Sequence, residues 1–207
     1  MVALCLSAQG QAPPAKEAPA NEAKGMVPRA KPSDYQAHAQ AGALTIGAEF
    51  MRHAIPTPQG ALSTEDYVVV EAGVFGDKTR LSIDDFTLKI NGKKPLPCQP
   101  YGIVLGNVKD PEWVPEEPVA PKSKGGGLST GGGGGGDNAP PTPPKMPMPL
   151  VRAMQQKVQK AAFPEGDRTL PQAGLLFFAY RGKSEGIKSV ELVYAGPAGK
   201  VTLALQP

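Results

Sequence analysis

The sequence is poor in the side chains on which metal sites and membrane spans depend. It has 207 residues but only two cysteines, two histidines and one tryptophan. His38 and His53 lie fifteen positions apart with no cysteine pair beside them, which is not the spacing of a metal site. No stretch approaches the roughly 20 apolar residues of a membrane-spanning helix. We therefore expect no metal, no cofactor and no transmembrane span.

The chain also has little excess of positive over negative charge. Its net charge is only +3, and the basic residues are spread among acidic ones. Nucleic-acid-binding surfaces collect basic side chains in a stripe with interleaved aromatic rings, so nucleic acid is not an expected partner. The adjacent acids Asp84 and Asp85 favour a solvated turn over a calcium site, because neighbouring strand residues point to opposite faces.

A catalytic nucleophile is missing as well. Cys98 stands between prolines without a glycine frame and is predicted to be a small buried residue at a strand end. The glycine run at 131–136 lacks the Lys-Ser/Thr pair that follows a phosphate-binding loop, and no strand precedes it. The sequence therefore predicts no catalytic residue.

Glycine and proline, by contrast, are abundant, with 25 and 24 residues. They dominate residues 109–146, where a glycine-rich chain would lose much backbone entropy and bury few side chains. We expect this stretch to be a disordered Gly/Pro-rich insert. Residues 13–41, rich in alanine, proline, lysine and glutamate, are predicted to form a flexible leader.

The first residues favour export from the cytosol. The apolar stretch 2–6 runs into the small and polar residues 7–12, as at the end of a signal peptide. Residues 1–12 are therefore predicted to be a truncated signal segment, and the protein to be periplasmic or extracellular, with or without a membrane tether. A lipid-modified Cys5 is the weaker alternative because Leu4 precedes it. If cleavage removes Cys5, the mature chain can form no internal disulfide.

Alternating apolar residues mark two groups of strands, one on each side of the insert. Asn91-Gly92 is a strong signal for a type I′ hairpin turn. Because about seven short strands with frequent turns are typical of a sandwich, residues 42–108 and 147–207 are predicted to form one discontinuous domain. The predicted strands are 44–53, 66–75, 81–90, 93–97, 174–180, 187–194 and 201–205.

One short amphipathic helix is predicted over residues 150–163, where Leu150, Met154 and Val158 recur at helical spacing. Pro149 suits its first turn and Pro164 ends it. Its basic residues favour a solvated face on a helix packed against the sandwich, with a membrane-surface face as the alternative. These residues are Arg152, Lys157 and Lys160.

Trp113 is the candidate partner-binding residue. It is the one large aromatic in polar surroundings, and it either covers the sandwich edge or stays exposed as an anchor for a protein or glycan.

Several motifs resemble those of the extracellular immunoglobulin-like domains, often called telokin-like, of bacterial secreted proteins and lipoproteins. The motifs are Tyr67-Val68-Val69-Val70-Glu71, Asp85-Phe86-Thr87-Leu88, Asn91-Gly92, Gly174-Leu175-Leu176-Phe177-Phe178 and Val190-Glu191-Leu192-Val193-Tyr194. The resemblance implies an all-β, immunoglobulin-like antiparallel β-sandwich outside the cytosol. It carries no catalytic residues, since the family's function is unknown, and the long insert departs from its pattern.

Taken together, these features favour a non-enzymatic binding or structural module of the cell envelope. Its partner would be an unknown protein or envelope component, and its oligomeric state is open. The alternative is an accessory subunit or noncanonical hydrolase whose site forms between sandwich and insert and involves His53.

Overall fold

Thirteen strands and two α-helices make up the described part of the chain, residues 23–57, 60–114 and 145–207, in a computed structural model. The predicted signal segment 1–12 and residues 115–144 of the predicted insert lie outside the described residues. The elements are β1 (Ala37–Ala41), β2 (Leu44–Arg52), β3 (Ala54–Thr57), β4 (Gly60–Thr64), β5 (Tyr67–Phe75), β6 (Lys78–Leu81), β7 (Phe86–Ile90), β8 (Leu96–Gln99), α1 (Tyr101–Val104), β9 (Val108–Lys109), α2 (Met148–Ala161), β10 (Gly166–Thr169), β11 (Gln172–Ala179), β12 (Val190–Gly196) and β13 (Gly199–Leu205).

Eight of these strands follow one another in the order β1-β2-β5-β11-β8-β7-β12-β13, and every pair is antiparallel. Strand β8 belongs to both layers, because Cys98 and Gln99 pair with β11 whereas Leu96 and Pro97 pair with β7. The first and last strands of this order, β1 and β13, also lie next to each other. The predicted all-β sandwich is confirmed.

The interior between the two layers, here called the sandwich core, contains apolar side chains from both. The alternation of β5 sends Val68, Val70, Ala72 and Val74 into it. The opposite face of β5 was expected to be half covered, but it is also buried, because it contributes Tyr67 and Val69 to a second apolar cluster. This outer cluster lies beneath α2 and includes Ile55, Leu62, Val104, Met154, Val158, Leu175 and Phe177.

Helix α2 confirms the predicted helix, and Met154, Val158 and Ala161 are its buried residues. Beyond the helix, the amide of Phe163 donates to the carbonyl of Leu175 in β11 over 3.0 Å. The approach requires a glycine at position 174, since a Cβ there would overlap the backbone of Phe163. The chain therefore returns from α2 directly to the edge of β11.

The predicted flexible leader differs from the structure over residues 23–41. Strand β1 occupies its end, and Tyr35 is only 4% exposed. The amide of Met26 donates to the carbonyl of Ala173 in β11 over 2.7 Å. Residues 23–36, here called the strap, thus lie on the sandwich. The physical reason is that a few anchoring side chains hold an otherwise polar segment, which leaves no apolar period in the sequence.

The predicted start of the insert also differs from the structure, because Val108 and Lys109 together form β9, which pairs with β4. Strand β3 replaces the turn expected around Pro56, and the chain enters it after Arg52 with a positive φ of 56°. The hairpin at Asn91-Gly92 is confirmed, with φ values of 53° and 66° as a type I′ turn requires. The short strands β3, β4 and β9 form a separate sheet beside the outer cluster.

Candidate functional site

A groove of about 600 Å³ lies between α2, the strap and β3. We call it the α2 groove. Met26 and Val27 of the strap, Pro56 of β3, and Ala153 and Ala161 of α2 supply apolar lining. A volume of this size lies within the range of small-molecule sites, about 300–1,000 Å³.

The lining positions of α2 follow from helical geometry. Ala153, Gln156, Lys157, Lys160 and Ala161 recur at spacings of three and four residues and so share one side of the helix. Ala161 belongs to the buried stripe that holds the helix on the outer cluster, and the other four lie beside that stripe. At two of these positions the side chain is alanine, which projects only a methyl group and so leaves space beside the helix for the groove.

The charge of the groove comes from Lys157 and Lys160. Among the described residues neither ammonium group has a carboxylate within ion-pair distance, and α2 contains no acidic residue. Because the two side chains are three residues apart, they are neighbours on the helix surface. The groove therefore combines a largely apolar lining with two positive charges that no carboxylate of the described residues neutralises.

The strap wall of the groove is held by Arg29. Its Nε and Nη2 donate to the carboxylate of Glu71 over 3.2 and 2.8 Å, and Nη2 also pairs with Glu49. The hydrogen bond to Glu71, opposed by desolvation, raises the pKa of the Arg29 guanidinium above its ordinary value. The guanidinium carbon lies 4.6 Å from the ring centre of Tyr35. The wall is thus fixed by a charge cluster on the outer face of β2 and β5.

Exposed large apolar side chains gather on the side of the molecule that carries α2. In the described ranges there are five, and four belong to the strap, α1 or α2. Val27, on the groove rim, is 91% exposed. The other three are Ile103, Met148 and Leu150, and the fifth is Val114.

Trp113, the predicted partner-binding residue, lies in the turn after β9 and is partly exposed. Its amide donates to the carbonyl of Asp110 over 3.3 Å. It does not line the α2 groove. Its role in partner binding stays a prediction.

The other titratable candidates are dispersed. His53 is partly exposed, and its Nδ1 and Nε2 lie 2.7 and 3.1 Å from the carbonyl oxygens of Tyr67 and Gly182. His38 is exposed on β1. Asp84 and Asp85 lie in a 3₁₀ turn, where burial, and secondarily the charge of Asp84, raises the pKa of Asp85. Within the described ranges no three His, Cys, Asp or Glu residues are grouped as metal ligands.

Cys98 is only 6% exposed, in agreement with its prediction as a small buried residue. Burial raises the pKa of its thiol to about 12. The thiolate form, which is the nucleophile, is therefore strongly disfavoured at neutral pH. The glycine run at 131–136 lies outside the described residues.

Comparison with known proteins leaves the site as the main guide to function. No family model, curated protein or solved structure matches the chain. Among the described helices, none is long and apolar enough to cross a membrane.

The α2 groove was not predicted from the sequence. The sequence predicts the helix and its basic residues, but it favours a solvated face for Lys157 and Lys160. Their pairing with the small Ala153 and Ala161 on one helix side was a usable signal. The strap and β3, which complete the groove, had no comparable pattern.

Proposed function

We propose that the protein is a non-catalytic binding module of the cell envelope and that the α2 groove is its binding site. The observation that carries the proposal is the groove itself, a concave apolar surface with two ammonium groups that no described carboxylate neutralises. Apolar pockets with a few placed polar or charged groups are typical of ligand-binding sites.

The surroundings of the titratable residues support binding over catalysis. The Cys98 thiol is buried and its pKa is raised to about 12. The ring nitrogens of His53 face two backbone carbonyls, whereas a general base would face a nucleophile and an orienting acid.

The envelope location is supported by the apolar start of the chain followed by small residues, and by the resemblance to telokin-like, immunoglobulin-like domains. The sandwich agrees with that resemblance in its antiparallel strands and its type I′ hairpin. The groove adds a binding surface to this scaffold.

The test is site-specific photocrosslinking of the full chain in its native cells. A benzophenone side chain replaces Val27 on the groove rim or, as the matched control, the exposed Ala204 on β13. We expect an adduct in the envelope fraction that forms from position 27 and not from position 204. Recovery of the protein in the cytosol, or equal labelling from both positions, would contradict the proposal.

A further inference from the structure

We infer that the α2 groove binds a single-chain amphiphile with an anionic headgroup, a carboxylate of the fatty-acid class. The inference rests on the proposed binding function and names its ligand class. It is carried by the length of the groove, its apolar lining and its two lysines, which have no ion-pair partner among the described residues.

The size of the groove favours a hydrocarbon chain over a partner helix. Its lining positions on α2 run from Ala153 to Ala161, about 12 Å of helix, which matches an extended chain of roughly ten carbons. A helix with side chains is about 10–12 Å wide, as wide as this part of α2 is long, whereas a hydrocarbon chain has no side chains and is much narrower. A narrow flexible chain fits this space.

The lining suits such a chain chemically. Met26, Pro56 and Ala161 present apolar surface, and Met26 can adjust its shape because its side chain is unbranched. Val27 on the rim is 91% exposed, so a bound chain would remove its apolar surface from water. Each methylene that becomes fully buried is expected to strengthen binding about fourfold.

The headgroup follows from Lys157 and Lys160. Two neighbouring ammonium groups attract an anion and repel a cation, and α2 carries no acid that would compensate them. Their methylene stems can pack along the hydrocarbon chain while the charged ends bind the carboxylate. One anionic group at the end of an apolar chain satisfies both features of the groove.

Isothermal titration of the full chain with dodecanoate below its micellar concentration tests the inference. We expect one site, an affinity that rises up to about fourfold per methylene from octanoate to dodecanoate, and binding of dodecyltrimethylammonium that is at least about tenfold weaker. Because apolar burial can have an enthalpy near zero at one temperature, the titration is run at two well-separated temperatures. No heat of binding with dodecanoate at either temperature, or equal affinity for the cationic analogue, would overturn the inference.

Variants locate the site. Lys157→Gln combined with Lys160→Gln should weaken dodecanoate binding about tenfold but leave 1-decanol binding unchanged. Lys93→Gln with Lys94→Gln, in the exposed β7–β8 turn, is the matched control and should change neither. Ala153→Trp should abolish binding of both ligands, with an unchanged melting temperature because Ala153 is exposed. Undiminished dodecanoate binding by Ala153→Trp would place the ligand elsewhere and overturn the inference.

Failure of this inference is distinguishable from failure of the proposed function. An envelope adduct from position 27 without dodecanoate binding would refute the ligand class and retain the binding function. An acidic peptide would then be the ligand to test. Dodecanoate binding by a chain recovered from the cytosol would refute the envelope location and retain the ligand class.

Discussion

At the scale of single residues, the pair Glu49 and Glu71 explains why the strap is attached. The two acids lie directly opposite each other on β2 and β5, and Glu71 is only 5% exposed. Like charges in this position repel, and a buried carboxylate needs a partner. Arg29 supplies the positive charge for both.

Replacing Arg29 should therefore expose this repulsion. We expect Arg29→Gln to lower the free energy of unfolding by about 2 kcal/mol, because a largely buried carboxylate loses its partner. Glu71→Gln in the same background should recover part of the loss, which a double-mutant cycle in urea measures. Arg152→Gln, an exposed change of the same type, is the control and should have almost no effect. Additive effects of Arg29→Gln and Glu71→Gln would show that the pair is not coupled.

The buried thiol of Cys98 should make the folded protein less stable at alkaline pH. Its thiol has a pKa of about 12 in the folded protein and about 9 ordinarily, so the unfolded chain releases this proton first. The unfolded state then binds fewer protons, and stability falls as pH rises from 9 towards 12, by up to about 1.4 kcal/mol per pH unit. Cys98→Ala should flatten this slope between pH 9 and 10, even though its smaller side chain lowers stability at every pH. An identical slope in both proteins would contradict the prediction.

At the scale of elements, the strap shows how an irregular segment is held by the shape of a sheet. Gly47 of β2 and Gly73 of β5 are paired in register, and together they leave a gap on the outer face of the sheet. The ring of Tyr35 fills this gap, where a Cβ on Gly47 would lie 2.6 Å from the ring. The glycines thus determine where the strap crosses the two strands.

Gly73→Ala should displace Tyr35 and loosen the strap. We expect a loss of about 2 kcal/mol in unfolding free energy, since a Cβ cannot share the space of the ring. Limited trypsin proteolysis should then cleave the strap after Arg29, whose guanidinium carbon lies 4.6 Å from the ring centre of Tyr35, faster than in the parent protein. Gly102→Ala in α1 is the control, because nothing lies within 4 Å of its added Cβ and alanine favours a helix. Unchanged proteolysis of Gly73→Ala would show that Tyr35 does not anchor the strap.

The elements differ in how well the sequence predicts them. The sequence predicts strands β5 and β11 to within a few residues because both are long, mostly apolar runs that are buried on both faces. Strands β3, β4 and β9 were missed, since two to five residues are too few for a period. The strap was missed because its anchors are one arginine and one tyrosine, whose partners lie on distant strands.

At the scale of the whole molecule, the described residues before 115 and those after 144 share one sandwich core. Strand β11 lies between β5 and β8, and β12 pairs with β7, so the later part of the chain supplies central strands to the earlier part. The apolar content of each part was enough to predict that the two parts form one discontinuous domain. The strand order could not be predicted, because nothing local specifies partners a hundred residues apart.

Splitting the chain tests this dependence. Fragments 1–130 and 131–207 should each lack protected amides when expressed alone, because β5 and β11 would each lose a neighbour over their whole length. Mixed or coexpressed, they should form a complex with the amide protection of the intact chain. Hydrogen exchange makes the comparison, and the intact protein cut after residue 130 is the control. Stable protection in either isolated fragment would show that the sandwich core is not shared.

The late position of β11 also bears on the proposed envelope location, which requires the chain to cross a membrane. Tyr67 in β5 pairs with Ala179 in β11, which is synthesised more than a hundred residues later. Strand β5 therefore lacks this neighbour while the first half of the chain is being made. Such long-range pairing slows folding. A chain that postpones its compact state in this way would still be threadable through a translocation pore when synthesis ends, and would complete its fold on the far side.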